Sequence, residues 1–169
     1  APSGTLEADA EHIHVSGCDK MLVVIKLFTH EDRHAAWPRL EAELESLSTD
    51  YQKLLVPHAQ EHGEMFRRVE IDLGATAAEH EICNEQLLLD AYQGDAPPAM
   101  VEKMWAYGRY LLISSSREGG QPCHLYGNWC GEYRGYWAFN MANENLQMIY
   151  WQALSGGLWE MMLPVFDYF

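Results

Sequence analysis

The stretch Asn143-Glu144-Asn145-Leu146-Gln147-Met148-Ile149-Tyr150-Trp151 decides how the chain is read. Asn143, Gln147 and Trp151 are spaced i, i+4, i+8, which predicts one stripe on a helix. Leu146, Ile149, Tyr150 and Leu154 fall on other parts of that helix and predict its inward packing. Asn145 stands two residues from Asn143, so on a continuous helix their side chains point apart. They converge only if Asn143 sits at or before the helix start, where Asn is a favoured N-cap. Two amides at a helix start can hold a water or a hydroxyl. The same spacing fits a capped amphipathic helix whose Gln and Trp face a neighbouring helix.

Working outward, two aromatic segments precede this helix: Leu125-Tyr126-Gly127-Asn128-Trp129 and Glu132-Tyr133-Arg134-Gly135-Tyr136-Trp137. Large rings beside amides suit a sugar, and Trp129, Trp137 and Trp151 can each stack on a sugar face or fill a core. Both segments lie in a long loop over residues 123 to 141, and loops of that length inside compact domains are often functional. Upstream, Pro97-Pro98 opens a helix predicted over residues 99 to 114. It is apolar nearly all round, which predicts burial on most sides, and Gly108 predicts close approach of a neighbour. Downstream, Gly156-Gly157 makes a turn before a last helix over residues 158 to 169.

The first half reads less sharply. Residues 12 to 16 alternate His12 and His14 with Ile13 and Val15, and residues 21 to 29 read as a second strand. Such a hairpin is marginal alone. It either packs on the helices that follow or ends a β-domain lying upstream. A helix after Glu31 places Pro38 in its first turn, with Leu40, Leu44 and Leu47 at helical spacing. A further helix over residues 50 to 67 should kink or break at Pro57. A short extended piece, residues 69 to 73, ends at Gly74. One more helix is predicted over residues 77 to 92.

The chain has 169 residues, 48% of them hydrophobic, which suffices for one domain with a real core. Its 25 acidic and 11 basic residues give a charge of -14. That excludes a nucleic-acid partner and an anionic membrane surface, and is compatible with a neutral substrate. No apolar run is long enough to span a bilayer. The N-terminal residues show no charged region followed by an apolar core, so no signal peptide is visible. Cys18, Cys83, Cys123 and Cys130 are too scattered for a disulfide scaffold. Cys123 and Cys130 either pair across the loop or remain free thiols.

Other chemistry competes weakly. His58-Ala59-Gln60-Glu61-His62 matches the H-x-x-E-H pattern, in which two His at i, i+4 bind one zinc with Glu as base. No convincing third ligand follows, and both His fall on the apolar side. Glu132 and Glu144 are the carboxylates nearest the aromatic region and the only acid–base candidates to test there. Ser114-Ser115-Ser116-Arg117 lacks the glycines of a phosphate loop or nucleophile elbow.

The segment Tyr107-Gly108-Arg109-Tyr110-Leu111-Leu112-Ile113-Ser114-Ser115-Ser116-Arg117, then residues 125 to 129, then residues 143 to 151, resembles glycoside hydrolase family 95. Phe66-Arg67-Arg68-Val69-Glu70-Ile71-Asp72-Leu73-Gly74 resembles that family's linker. The family holds inverting α-L-fucosidases and α-L-galactosidases. The resemblance implies a mainly α fold: residues 1–30 as the tail of a β-domain, 31–96 as a helical linker, and 97–169 as the first helices of an (α/α)6 barrel.

It also implies that Asn143 and Asn145 position the attacking water, and we expect Trp129, Gln147 and Trp151 to bind the sugar. No cofactor and no metal are called for. A secreted or periplasmic location is implied, and an exposed half-barrel would self-associate. The family's Asp-Tyr-His before the Asn pair is replaced by Phe139-Asn140-Met141, so a sugar-contacting His has no counterpart. An inverting mechanism needs two carboxyl groups roughly 6.5–9.5 Å apart. By the resemblance both come from later helices, which predicts an inactive chain. The alternatives are a non-catalytic carbohydrate-binding or interaction module and, behind it, a zinc hydrolase using His58 and His62.

Overall fold

A computed structural model describes residues 4–28, 31–132 and 134–169. The chain is mainly helical and divides into two units, Ala1–Pro57 and His58–Phe169. No described helix is long and apolar enough to cross a membrane.

In the first unit, β1 (Thr5–Ala8) pairs antiparallel with β2 (Ile13–Ser16). Alternation puts Leu6, Ala8, Ile13 and Val15 on one face and Thr5, Glu7, His14 and Ser16 on the other. All strand residues are exposed, so neither face is covered. The hairpin therefore uses a different partner from the expected one. Residues 21–28 form no strand, and Thr29 lies outside the described residues.

The reason is local turn chemistry. The Asp9 amide donates to the His12 carbonyl at 3.0 Å, and the Asp9 carboxylate takes the amides of Glu11 (2.8 Å) and His12 (2.6 Å). Asp is favoured in turns for this self-capping. It folds β2 back onto the residues just before it. The segment after β2 is instead tied by Lys26 to Glu43 at 2.8 Å.

Helix α1 (Arg33–Ser46) starts at Asp32, whose carboxylate accepts the Ala35 amide at 2.9 Å. That cap sets the start early, so Pro38 lies in the second turn rather than the first. Ala36 and Leu40, one turn apart, are buried, while Leu44 and Leu47 are exposed. Helix α2 (Tyr51–Phe66) continues through Pro57 without a break. A proline removes one backbone donor, and the flanking bonds here carry the helix across.

In the second unit, the expected long helix is two: α3 (Ala77–His80) and α4 (Asn84–Gln93). A Thr76–Glu79 capping box opens α3. The Lys103 ammonium then takes the carbonyls of His80 (3.0 Å) and Ile82 (2.8 Å), which a continuing helix would use itself. Helix α5 (Pro98–Ser115) follows, with proline at the start as expected. Only one stripe of it is exposed, Val101, Met104, Tyr107 and Tyr110; Ala99, Arg109, Leu112 and Ile113 are buried and the other helix residues are half-buried. The helix is thus covered on most sides, as its apolar composition predicts.

Helix α6 (Glu144–Ser155) packs on α5 at Gly108, where the Gln152 amide donates to the Gly108 carbonyl at 3.2 Å. A 3-10 turn (Trp159–Met162) and α7 (Leu163–Tyr168) replace the single last helix that the sequence suggests. The core joins Met65, Leu112, Ile113, Cys123, Tyr150, Ala153, Leu158 and Met161. Its centre is polar. The buried Arg109 guanidinium donates to the carbonyls of Met65 (2.9 Å), Phe66 (3.1 Å) and Gly156 (2.6 Å) and lies over the Trp105 ring at 4.9 Å. Those carbonyls end α2 and α6, where helix dipoles favour a cation.

Candidate functional site

Asn143 is the N-cap of α6, as its position in the sequence requires for the two amides to converge. Its backbone is extended (φ -139, ψ -176), and its side chain accepts the Asn145 amide at 3.1 Å. Its Nδ2 donates weakly to Met141 Sδ at 3.4 Å. The cap carbonyl accepts the Leu146 amide at 3.1 Å and starts the helix ladder. The side-chain Oδ1 of Asn143, which takes the Asn145 backbone amide, keeps one lone pair for a further donor. The Asn145 side chain is exposed.

Both side chains line a cavity of about 40 Å³, together with Cys123, His124, Trp137, Phe139 and Asn140. That space suffices for a water, which needs about one probe sphere. Asn140 was not foreseen as a site residue. Its Oδ1 is buried without a hydrogen-bond partner, and buried acceptors of this kind take a donor when one is supplied. His124 was also missed. It is half-buried, and its Nδ1 accepts the Tyr126 amide at 3.2 Å. The signal for Asn140 lay in the departure at residues 139–141. For His124 no spacing rule pointed to it.

The remaining expected residues go elsewhere. Trp129 lines an adjoining cleft with Gly108, Leu111, Met148 and Gln152, which shares Cys123, His124, Leu125 and Ile149 with the cavity. Its ring lies 6.1 Å from Tyr110, itself 5.2 Å from His62. Gln147 and Trp151 do form one stripe, as the spacing predicts. That stripe, with Leu154 and Met162, lines a separate open groove, and Trp151 is 74% exposed. Glu132 and Glu144 are exposed and neither lines the cavity, which has no carboxylate among its lining residues. Tyr133 lies outside the described residues.

Cys123, one wall of the cavity, is held by a hydrogen bond to a buried hydroxyl. Tyr150 accepts the Cys123 amide at 2.7 Å and shares a hydrogen bond with Ser116 Oγ at 2.7 Å. Ser116 in turn donates to the Met161 carbonyl at 2.9 Å, so the tyrosine is the donor of that pair. Burial pushes the Tyr150 hydroxyl up from its ordinary pKa, and the bonds from Ser116 and Cys123 oppose it. Burial likewise pushes the Cys123 thiol up, against a lowering hydrogen bond with Ser115. All four cysteines are free, so Cys123 and Cys130 are not bridged.

His58 and His62 lie on α2 with ring centroids 6.4 Å apart. His62 packs on Phe66 and Tyr110, and Glu61 is paired with Arg117. Burial first, then His58 and Arg117, lower the His62 pKa. Among the described residues, no third ligand group gathers at this pair.

The family model of the glycosyl hydrolase family 95 catalytic domain matches residues 50–169. The chain belongs to glycoside hydrolase family 95. It is 34% identical over 122 residues to alpha-L-fucosidase 2 of Arabidopsis thaliana, covering 70% of this chain and 14% of that protein. Probable alpha-fucosidase A of Aspergillus niger is 30% identical over 130 residues, covering 76% of this chain and 16% of that protein. The Aspergillus oryzae protein of the same name is 32% identical over 126 residues, covering 73% of this chain and 17% of that protein. This family 95 chain thus spans 14 to 17% of the length of these relatives.

Proposed function

We propose that this chain supplies the water-positioning part of an inverting family 95 glycoside hydrolase acting on α-L-fucosides or related sugars. The observation that carries the reading is the water-sized cavity where the amides of Asn143, Asn145 and Asn140 meet. Asn143 and Asn145 hold the attacking water by its hydrogen and oxygen, and the cap bond from the Asn145 backbone amide to Asn143 Oδ1 holds the two residues together at the helix start. In-line attack on the anomeric carbon needs such orientation, which lowers the entropic cost of the encounter. The general acid and its partner carboxylate come from outside these residues. That agrees with the lack of a carboxylate around the cavity and with the small share of the relatives that is covered. The helices α5 to α7 are the start of an (α/α)6 barrel, and the hairpin is the tail of a β-domain.

Trp151, Leu154, Met148 and Phe166 are all more than half exposed and give the chain alone a self-associating face. The test is turnover of an aryl α-L-fucoside and an aryl α-L-galactoside. This chain alone is expected to show none. In a chain extended over the relatives' full length, Asn143→Ser keeps the cap but loses the amide donor, and kcat should fall by roughly 10²-fold. Turnover by this chain alone, abolished in Asn143→Ala, would overturn the reading and put the acid at Glu132 or Glu144.

A further inference from the structure

We propose that the hairpin turn of the first unit is a binding site for a divalent transition-metal ion, with Asp9, His12 and His14 as ligands. Neither the family assignment nor the cavity described above involves these residues. His14 lies on β2 and His12 at the turn that precedes it, two residues earlier. Their ring centroids lie 5.8 Å apart. Asp9 comes back over the turn to meet both: His12 Nδ1 is 3.6 Å from Asp9 Oδ1, and His14 Nε2 is 3.8 Å from Asp9 Oδ2. The ligand atoms of all three lie within 4.8 Å of one another.

Those separations are close to what a metal needs. Ligands at about 2.0–2.1 Å from a tetrahedral zinc stand roughly 3.4 Å from each other. Closure therefore draws the two Asp–His pairs in by a few tenths of an ångström and the widest pair by up to about 1.4 Å, which rotation of exposed side chains between staggered wells supplies. Two imidazoles and a carboxylate suit zinc, copper or nickel rather than magnesium or calcium.

The turn also orients its carboxylate beforehand. Asp9 Oδ1 is held by the amides of Glu11 and His12, as outer-shell donors hold a metal-binding carboxylate. His14 is fixed opposite Glu7 by the strand register. A self-capping Asp turn alone explains the place of Asp9. It does not bring two imidazole nitrogens to the same carboxylate. All three residues are exposed, so an ion can enter, with open positions left for water.

The test is calorimetric titration of the whole chain with zinc chloride, followed by proton NMR of the imidazoles. One equivalent of zinc is expected to bind, shifting the His12 and His14 ring signals. His12→Ala, His14→Ala and Asp9→Asn should each weaken binding by roughly tenfold or more. Asp9→Asn keeps an acceptor for the turn amides, so its loss reports the ligand rather than the fold. His58→Ala/His62→Ala should leave this equivalent unchanged. Zinc binding that survives His14→Ala, or no equivalent bound at all, would overturn the proposal.

Discussion

The C-terminal end of α6 closes in a double glycine against a buried arginine, whereas its N-terminal end opens into a cavity lined by amides. At the closed end the Leu158 amide bonds the Ala153 carbonyl at 2.7 Å, and the Gly157 amide bonds Leu154 at 3.2 Å. Gly157 takes φ +67 to allow this. The arrangement is a Schellman cap, with Leu158 buried beneath it. Arg109 takes the Gly156 carbonyl as well. At the open end, one side-chain cap is made, and the buried Asn140 Oδ1 has no partner among the described residues. One helix thus closes at one end and, at the other, opens onto the cavity proposed to hold the attacking water.

This contrast can be broken by mutation, most strongly at the closed end. Arg109→Met keeps the volume but strands the carbonyls of Met65, Phe66 and Gly156. It should cost about 3 kcal/mol or more, read from the midpoint of urea unfolding. Gly156→Ala comes next. A Cβ there would lie 2.6 Å from the Gln152 carbonyl oxygen and 2.7 Å from Arg109 Nη1, so one must move. The expected loss is about 2 kcal/mol, as for other overpacked sites, and the thermal midpoint falls with it.

At the open end the effects are smaller. Asn143→Ala should cost about 1 kcal/mol, and Asn143→Ser should restore most of that, since serine caps equally well. Asn145→Ala should stay within about 0.5 kcal/mol. If Asn143→Ala proved more costly to unfolding than Arg109→Met, the division between the two ends would be wrong.

What the sequence shows and what it hides follows the same line. The N-cap at Asn143, the glycine turn after α6 and the proline start of α5 depend on local chemistry, and all are where the residues put them. The division into α3 and α4 was invisible because Lys103, far along the chain, takes the carbonyls between them. Helical spacing put Gln147 and Trp151 on one stripe but could not say what faces it. Residues 21 to 28 show that β-prone composition does not choose a partner when an Asp turn has already joined two nearer strands. Asn140 escaped notice because only the folded loop brings it to Asn143 and Asn145.

The Tyr150 hydroxyl carries one more consequence. It pins the first residue of the aromatic loop, Cys123, while the cap at Asn143 pins the last turn before α6. Between these two points the main tie back to the helices is Asn128, whose amide donates to the Ser114 carbonyl at 2.8 Å. The segment is therefore a cassette clipped at both ends to the helices on either side of it. A designer wishing to change which sugar the proposed site takes would exchange residues between 129 and 140, and leave both clips, Met141 with Asn143 included, and the Asn128 tie in place.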